Sequence, residues 1–458
     1  MEYLNLEHII NNETKITKDK VYAIQGFVEK KGKINKTLNS IILRQSLNTI
    51  QCSIDKENEE LTSTFSNLTS ESYVTLKGTF EENKNQKTTI KNFELKTESI
   101  EIIETAQKQL PFILRDADSS IDEANFVNFN KCLDYKALFL RSKICQASFK
   151  LKSFVMNSFR SFLLNDDFTE IVTPKLLGGG SEGGANVFEV KYFKKKAFLA
   201  QSPQLYKQMA IIGGFKKVFE IGHVYRQEES NINRYLSEFT GMDIEMESNN
   251  YLNTIDFIYK LFFKIITETF EQKKLEIEIL RKYKNFEDIQ ISEDPIVYSH
   301  KECVTLLKNN NIQIDFDSDF SREQEKSLGN LIKLKHKVDF FVVKDYPANA
   351  RAFYTERYDE VDPETNVLYS KSYDFILRGE EILSGAQRIS NYDKLKKSAS
   401  ENGIPEKNIK GYLESFKFGV PTHSGCGIGL ERFLKSLFDF NDIRYFNMFP
   451  RDTSRLYP

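Results

Sequence analysis

Arg226 and Glu228 stand two residues apart at the end of the apolar run FEIGHVY, and Phe239, Asp243, Glu245 and Glu247 recur at even spacing in the run FTGMDIEME. Residues two apart on a strand share a face. A hairpin built from these runs therefore sets a guanidinium, an aromatic ring and several carboxylates on one surface. An arginine so placed can grip a phosphate bidentately, a neighbouring ring can stack a purine, and the charged loop between the runs can reach over a polyanion. A solvated hairpin with chance charges accounts for any one of these residues, but poorly for the set.

Three further stretches carry chemistry. In RGEEILSGAQR, Glu380 and Glu381 point to opposite faces of a strand, so one of them can face a given site. A carboxylate and the Ser384 hydroxyl are hard oxygen ligands suited to Mg²⁺ on nucleotide phosphates, and Arg388 closes the stretch. HSGCGIGLERF places three glycines before a helix, which permits close approach of a ligand and leaves Arg432 near the helix N-terminus. GGGSEGGANVF, with the single carboxylate Glu182, has the composition of a lid over a ligand. His223, His300 and His336 show no ligand spacing. No P-loop motif occurs, and no glycine motif joins a strand to a helix in a βαβ unit, so P-loop and Rossmann nucleotide sites are not expected.

These residues need a scaffold, and 458 residues predict more than one domain. Between 21 and 105, short partly alternating runs separated by Lys, Asn, Gly and Glu turns predict about five strands, which suits a small barrel such as the OB-fold. A β-domain without a ligand fits the same runs. Residues 106–134 are polar, lack a sustained period and predict a hinge. From Tyr135 to Asp166 apolar residues recur at three- and four-residue spacing, predicting one long amphipathic helix. Strands dominate 191–247, helices are expected at 251–275 and 322–337, and strands return in VDFFVVKDYP, ARAFYTERY and SYDFIL. The expected fold is α+β, with a mostly antiparallel sheet flanked by helices over 135–458.

The formal charge of −2 does not announce nucleic acid, so any basic surface must be local. Five scattered cysteines without a C-x-x-C pair argue against a zinc site or a disulfide framework and fit a reducing compartment. No secretory signal and no membrane span is expected, and the expected location is the cytoplasm.

FTEIVTPKL, FEIGHVYRQEESNINRYLSEF and GIGLERF resemble motifs 1, 2 and 3 of the class II aminoacyl-tRNA synthetases. GGSEGGANVFEVKYF, AQSPQLYKQM, RGEEILSGAQRI and MFPRDTSRLYP resemble, within that class, the aspartyl-tRNA synthetases of archaeal and eukaryotic type. The resemblance runs over about residues 20–458, in family order. It implies an OB-fold anticodon-binding domain over 1–105, the hinge at 106–134 and a class II catalytic domain over 135–458. The implied reaction joins L-aspartate to tRNA(Asp) through an aspartyl-adenylate made from ATP with Mg²⁺, in a homodimer formed through motif 1.

Residue roles follow from the same resemblance. Arg226 and Arg432 would be catalytic. ATP would lie among Arg226, Glu228, Arg234, Tyr235, Leu236, Phe239, Glu381, Gly429, Leu430, Glu431 and Arg432. Aspartate would meet Glu182, Gln204, Lys207, Arg226, Asp243, Ser384 and Arg388; Glu381 and Ser384 would hold Mg²⁺, with Asp374 as a helper. Ser40 and Gln51 fall where relatives contact the anticodon, although relatives carry an aromatic at the Ser40 position. Motif 2 usually has Arg-His where this chain has Arg234-Tyr235, and Cys426 replaces a glycine. The competing functions are an asparagine-activating relative, against which Lys207 argues, and a non-charging RNA-binding paralogue.

Overall fold

A computed structural model describes residues 2–11, 15–17, 19–82, 88–179, 187–228 and 233–457. The chain divides into two compact units, Met1–Ala147 and Ser148–Pro458.

The first unit is a barrel of β1 (Tyr22–Lys33), β2 (Leu38–Gln45), β3 (Asn48–Asp55), β4 (Tyr73–Glu82) and β5 (Phe93–Glu104), with helix α1 (Glu59–Asn67) between β3 and β4. The sheet runs β1-β2-β3-β5-β4 and closes by antiparallel pairing of β1 with β4. This is the OB-fold-like barrel expected. Alternation drives the closure: Ile41 and Leu43 of β2 and Ile50, Cys52 and Ile54 of β3 point into the core and are fully buried. Ser40 and Gln51, one on each of two adjacent strands, belong to the opposite, outer face. There Gln51 donates to Glu94 at 2.7 Å.

The predicted helix from Tyr135 begins later than its periodicity suggests. Residues 129–134 and 136–139 form short helices, and the long helix α2 spans Lys143–Asn165. The Ser142 hydroxyl accepts from the Cys145 amide at 3.3 Å, which caps α2 and sets its start.

The second unit is built on an eight-stranded sheet. In chain order its main elements are α3 (Gln204–Ile212), β6 (Lys217–Tyr225), β7 (Glu238–Glu247), α4 (Tyr251–Gln272), α5 (Arg322–His336), β8 (Phe340–Lys344), β9 (Ser372–Leu377), β10 (Glu380–Gln387), β11 (His423–Gly429) and α6 (Leu430–Leu437). The strand order is Val297–Ser299, β8, β9, β10, β11, β7, β6, Thr169–Glu170. The six central strands pair antiparallel, and the two short edge strands add in parallel. Helix α4 covers one face through phenylalanine and tyrosine rings: Tyr259 stacks on Phe340 at 5.2 Å, and Phe262 packs on Phe340 at 5.8 Å and on Phe375 at 6.2 Å. That aromatic layer frees the opposite face to carry polar groups. Among the described residues no helix is long and apolar enough to cross a membrane.

Residues 350–358, expected as a strand, begin inside a 3-10 turn at Ala348–Ala350 and make only isolated bridges at Thr355 and Arg357.

Candidate active site

Strands β6, β7, β11 and β10 lie side by side, and their glycines decide the shape of the surface they form. In β11, Gly425, Gly427 and Gly429 occupy one face, while Cys426 and Ile428 are buried on the other. A Cβ on Gly425 would come within 2.1 Å of the Ile244 carbonyl and 2.3 Å of the Glu245 carboxylate. Gly427 lies opposite Asp243 in register. The bare strand thus lets two carboxylates of β7 lie close against the sheet. Cys426 takes no part in that face except through its carbonyl, which explains why a small thiol is accommodated there.

Above this floor is a cleft of about 310 Å³. It brings together Gln204, Arg226, Glu228, Arg234, Tyr235, Leu236, Phe239, Asp243, Glu381, Ser384, Arg388, Gly429, Glu431 and Arg432, all chosen from sequence. The hairpin β6–β7 pairs Tyr225 with Glu238 and delivers Arg226 just beyond the strand end. Its guanidinium sits 5.5 Å from the Phe239 ring centroid. Residues 229–232 of the connecting loop and Glu182 lie outside the described residues.

The floor is a lattice of buried charges. Lys207 Nζ donates to Asp243 at 2.8 Å and to the Cys426 carbonyl at 2.8 Å, and approaches Glu245 at 3.5 Å. Arg388 forms a two-pronged pair with Glu245, at 2.9 and 3.1 Å. Glu245 is fully buried, and the two cations hold its carboxyl below the usual range despite desolvation. Arg388 spends Nε and Nη2 on Glu245, which leaves Nη1 for a ligand.

Helix α3 explains the position of Lys207. Its buried residues are Gln204, Lys207, Gln208 and Ile211, a helical stripe that is almost wholly polar. A search for apolar periodicity passes over such a helix.

On β10 the structure departs from simple alternation. Ile376 of β9 pairs with Glu381 and Phe375 with Leu383, so Ile382 is the extra residue of a β-bulge. Glu381 and Ser384 are three apart and would otherwise face opposite ways. The bulge brings both to the cleft. Desolvation and Asp374 push the Glu381 carboxyl upward, opposed by Arg432 and Arg351. Arg432 Nη1 donates to the Glu381 carbonyl at 3.3 Å.

Several expected site residues are already engaged by the packing. Lys207 is 1 % exposed, and before a substrate arrives its ammonium is engaged by Asp243 and the Cys426 carbonyl. Arg234 was expected to serve the phosphates. Its guanidinium instead meets Glu380 at 3.0 Å and Glu325 at 3.4 Å, and Glu380 is further held by Lys435 and Ser436. It ties the end of the motif 2 loop to β10 and α5. Leu430 is fully buried in the core. Glu431 reaches the cleft margin, yet both its oxygens are taken, one by Lys152 at 2.7 Å and the other by the Thr240 amide at 3.0 Å. Asp374 is no open metal ligand, since both of its oxygens accept from Arg351.

Arg351, Gln201, Ser202, Tyr354, Thr355 and the strand partner Glu245 were not assigned roles from sequence, although all but Glu245 line the cleft. The repeated charge at positions 243, 245 and 388 was the available signal for Glu245. Arg351 had none, because it lies in an irregular segment with no period.

The residues present suit a divalent cation that arrives with a nucleotide. Mg²⁺ commonly takes one or two protein oxygens and completes its shell with phosphates and water. Glu381 and Ser384, both on the cleft, are two oxygen donors that would fit that need. Among the described residues no cluster of three or more His, Cys, Asp or Glu is arranged to hold a metal by itself.

The family described as tRNA synthetases class II (D, K and N) matches residues 128–453. A relative from Encephalitozoon cuniculi named "Probable aspartate–tRNA ligase, cytoplasmic" is 45 % identical, the match covering 95 % of this chain and 94 % of that one. The solved aspartyl-tRNA synthetase of Entamoeba histolytica superposes with a TM-score of 0.87 at 34 % identity, over 100 % of this chain and 93 % of that one. The asparaginyl-tRNA synthetase of Pyrococcus horikoshii complexed with asparaginyl-adenylate gives a TM-score of 0.83 at 27 % identity, with 96 % of each chain covered.

Proposed function

The chain belongs to the class II tRNA synthetases of the D, K and N group, and from that premise we propose that it activates L-aspartate with ATP to aspartyl-adenylate and transfers the aspartyl group to the 3′ end of tRNA(Asp). The observation that carries this reading is the paired-charge floor, Lys207–Asp243 and Arg388–Glu245, beneath a cleft lined by Arg226, Phe239 and Arg432. Aspartate brings one ammonium and two carboxylates. Arg388 Nη1 takes the side-chain carboxylate. Lys207 transfers its ion pair from Asp243 to the same carboxylate, and Asp243 turns to the ammonium group. One ion pair is exchanged for two.

The α-carboxylate is ionised at neutral pH and attacks the α-phosphorus without a general base, breaking the bond to the bridging oxygen and releasing pyrophosphate. Arg226 holds the α-phosphate and stabilises the charge that develops on it. The adenine stacks between Phe239 and Arg432. Glu381 and Ser384 would hold Mg²⁺, which would supply charge neutralisation for the phosphates. The outer face of the barrel, with Ser40 and Gln51, meets the anticodon.

Asparagine presents a neutral amide in place of the side-chain carboxylate. The exchange at Lys207 then breaks one ion pair and returns only one, and leaves a buried cation underpaired. We expect exchange of pyrophosphate into ATP, with Mg²⁺ present, to run at least about a hundredfold better with aspartate, a difference of roughly 3 kcal/mol. Comparable exchange with both amino acids would favour the asparagine-activating reading. Exchange with neither would favour the non-charging paralogue.

The proposal includes a homodimer. Val172 in the motif 1 segment is 90 % exposed, with Leu176 and Leu164 also half exposed nearby in sequence. Exposed apolar residues of this kind suit a second copy of the chain. Light scattering at micromolar concentration should give twice the 53.3 kDa chain mass; a single-chain mass would remove the dimer from the proposal. By relation to the E. cuniculi protein, the proposed place of action is the cytoplasm.

A further inference from the structure

Arg351 stands on the cleft wall beside Glu381 and Ser384. Its side chain is 10 % exposed, and its guanidinium lies 3.7 Å from the Tyr346 ring centroid. Nη1 and Nη2 reach the two oxygens of Asp374 at 2.9 and 2.6 Å, and Nη1 also donates to Ser384 Oγ at 2.9 Å. Asp374 and Ser384 are direct partners across β9 and β10. Glu381 lies within electrostatic reach of both Asp374 and Arg351.

Without Arg351 this wall would present three hard oxygen donors, from Glu381, Asp374 and Ser384. Affinity for a divalent cation rises with the number and charge of such ligands. A planar guanidinium fork binds a carboxylate in a fixed direction, and the ring beneath it restricts the fork further. Ser384, accepting from Nη1, keeps one lone pair and its own hydrogen for other partners. We propose that Arg351 is a positioning residue that withholds Asp374 from the divalent cation, so that the chain alone offers two ligands and the cation is held firmly only together with the nucleotide's phosphates. The inference rests on the proposed placement of the cation at Glu381 and Ser384. It explains why a wall rich in carboxylates need not trap a metal before ATP arrives.

Mn²⁺ provides the probe, with free Mn²⁺ followed by electron paramagnetic resonance on the full chain without nucleotide. The parent chain should bind it weakly. Arg351→Met should bind one Mn²⁺ about tenfold more tightly or better, and Arg351→Met combined with Asp374→Asn should return to the parent value. Arg351→Lys, which keeps a cation beside Asp374, should fall between them and serves if the methionine variant melts too low to assay. Unchanged nucleotide-free Mn²⁺ affinity in the folded Arg351 variants would overturn the inference. A separate arm tests its premise: with a non-hydrolysable ATP analogue, Glu381→Gln should lose the Mn²⁺ that the parent binds. Retention of that ion would overturn the cation's placement, whatever Arg351 does.

Discussion

Arg226→Ala lowers aspartate-dependent pyrophosphate exchange by about 10²–10³-fold, while the melting temperature stays within about 2 °C of the parent chain. The first half follows from where the side chain stands. It leaves the end of β6 toward the cleft, over Phe239, at the point where the α-phosphate would lie between nucleotide and amino acid. Charge develops there in the transition state, and loss of one preorganised donor of this sort costs about 3–4 kcal/mol. The second half follows from its lack of structural duties. Among the described residues Arg226 makes no ion pair, and the local backbone is held by its own amide donating to the Ser237 carbonyl. Removing a half-buried side chain without such ties changes stability by about 0.5 kcal/mol. Exchange assays and thermal melting on the same preparation check both. Undiminished exchange would sink the assignment of Arg226 to the phosphate.

The second large effect belongs to Arg388, where binding and stability are joined. Arg388→Met removes the two-pronged partner of Glu245, which is fully buried and then left with Lys207 at 3.5 Å. Breaking a buried pair from one side costs about 3–5 kcal/mol, so the urea midpoint should fall sharply and aspartate activation should be lost. The double variant Arg388→Met with Glu245→Leu separates the two causes. Replacing both partners by apolar groups is close to neutral for stability. The midpoint should recover most of its loss while exchange stays strongly depressed, because Lys207 alone then meets the substrate's side-chain carboxylate. A single variant with an unchanged midpoint would refute the buried-pair account. A double variant that activates aspartate as well as the parent chain would refute the role in binding.

The architecture was largely legible from the chain itself. Alternation around Ile41, Leu43 and Cys52 predicts barrel strands because one face of each must leave water, and the same logic finds β6 and β7. The spacing of Arg226, Phe239 and Asp243 survives into three dimensions because period two is a property of the extended backbone. Helix α3 was not legible, since its buried stripe is Gln204, Lys207 and Gln208 rather than apolar residues. The start of α2 was also missed, because apolar spacing continues through the short helices before Ser142.

What the sequence by itself determined is therefore the set of chemical groups and the strands that carry them: arginines, carboxylates, an aromatic ring and a glycine-rich strand, in an order that identifies the family. These are local properties, written in residue type and spacing. Tertiary structure alone decided which groups remain available. Arg234 is spent on Glu380 and Glu325, Glu431 on Lys152 and Thr240, and Asp374 on Arg351, while a bulge at Ile382 turns Glu381 and Ser384 to the same side. The physical reason is that a charged side chain in low dielectric must find a partner, and that partner is set by strand register and by loops distant in sequence. Residue type announces a capacity for chemistry; burial and pairing decide which capacities are left for the substrate.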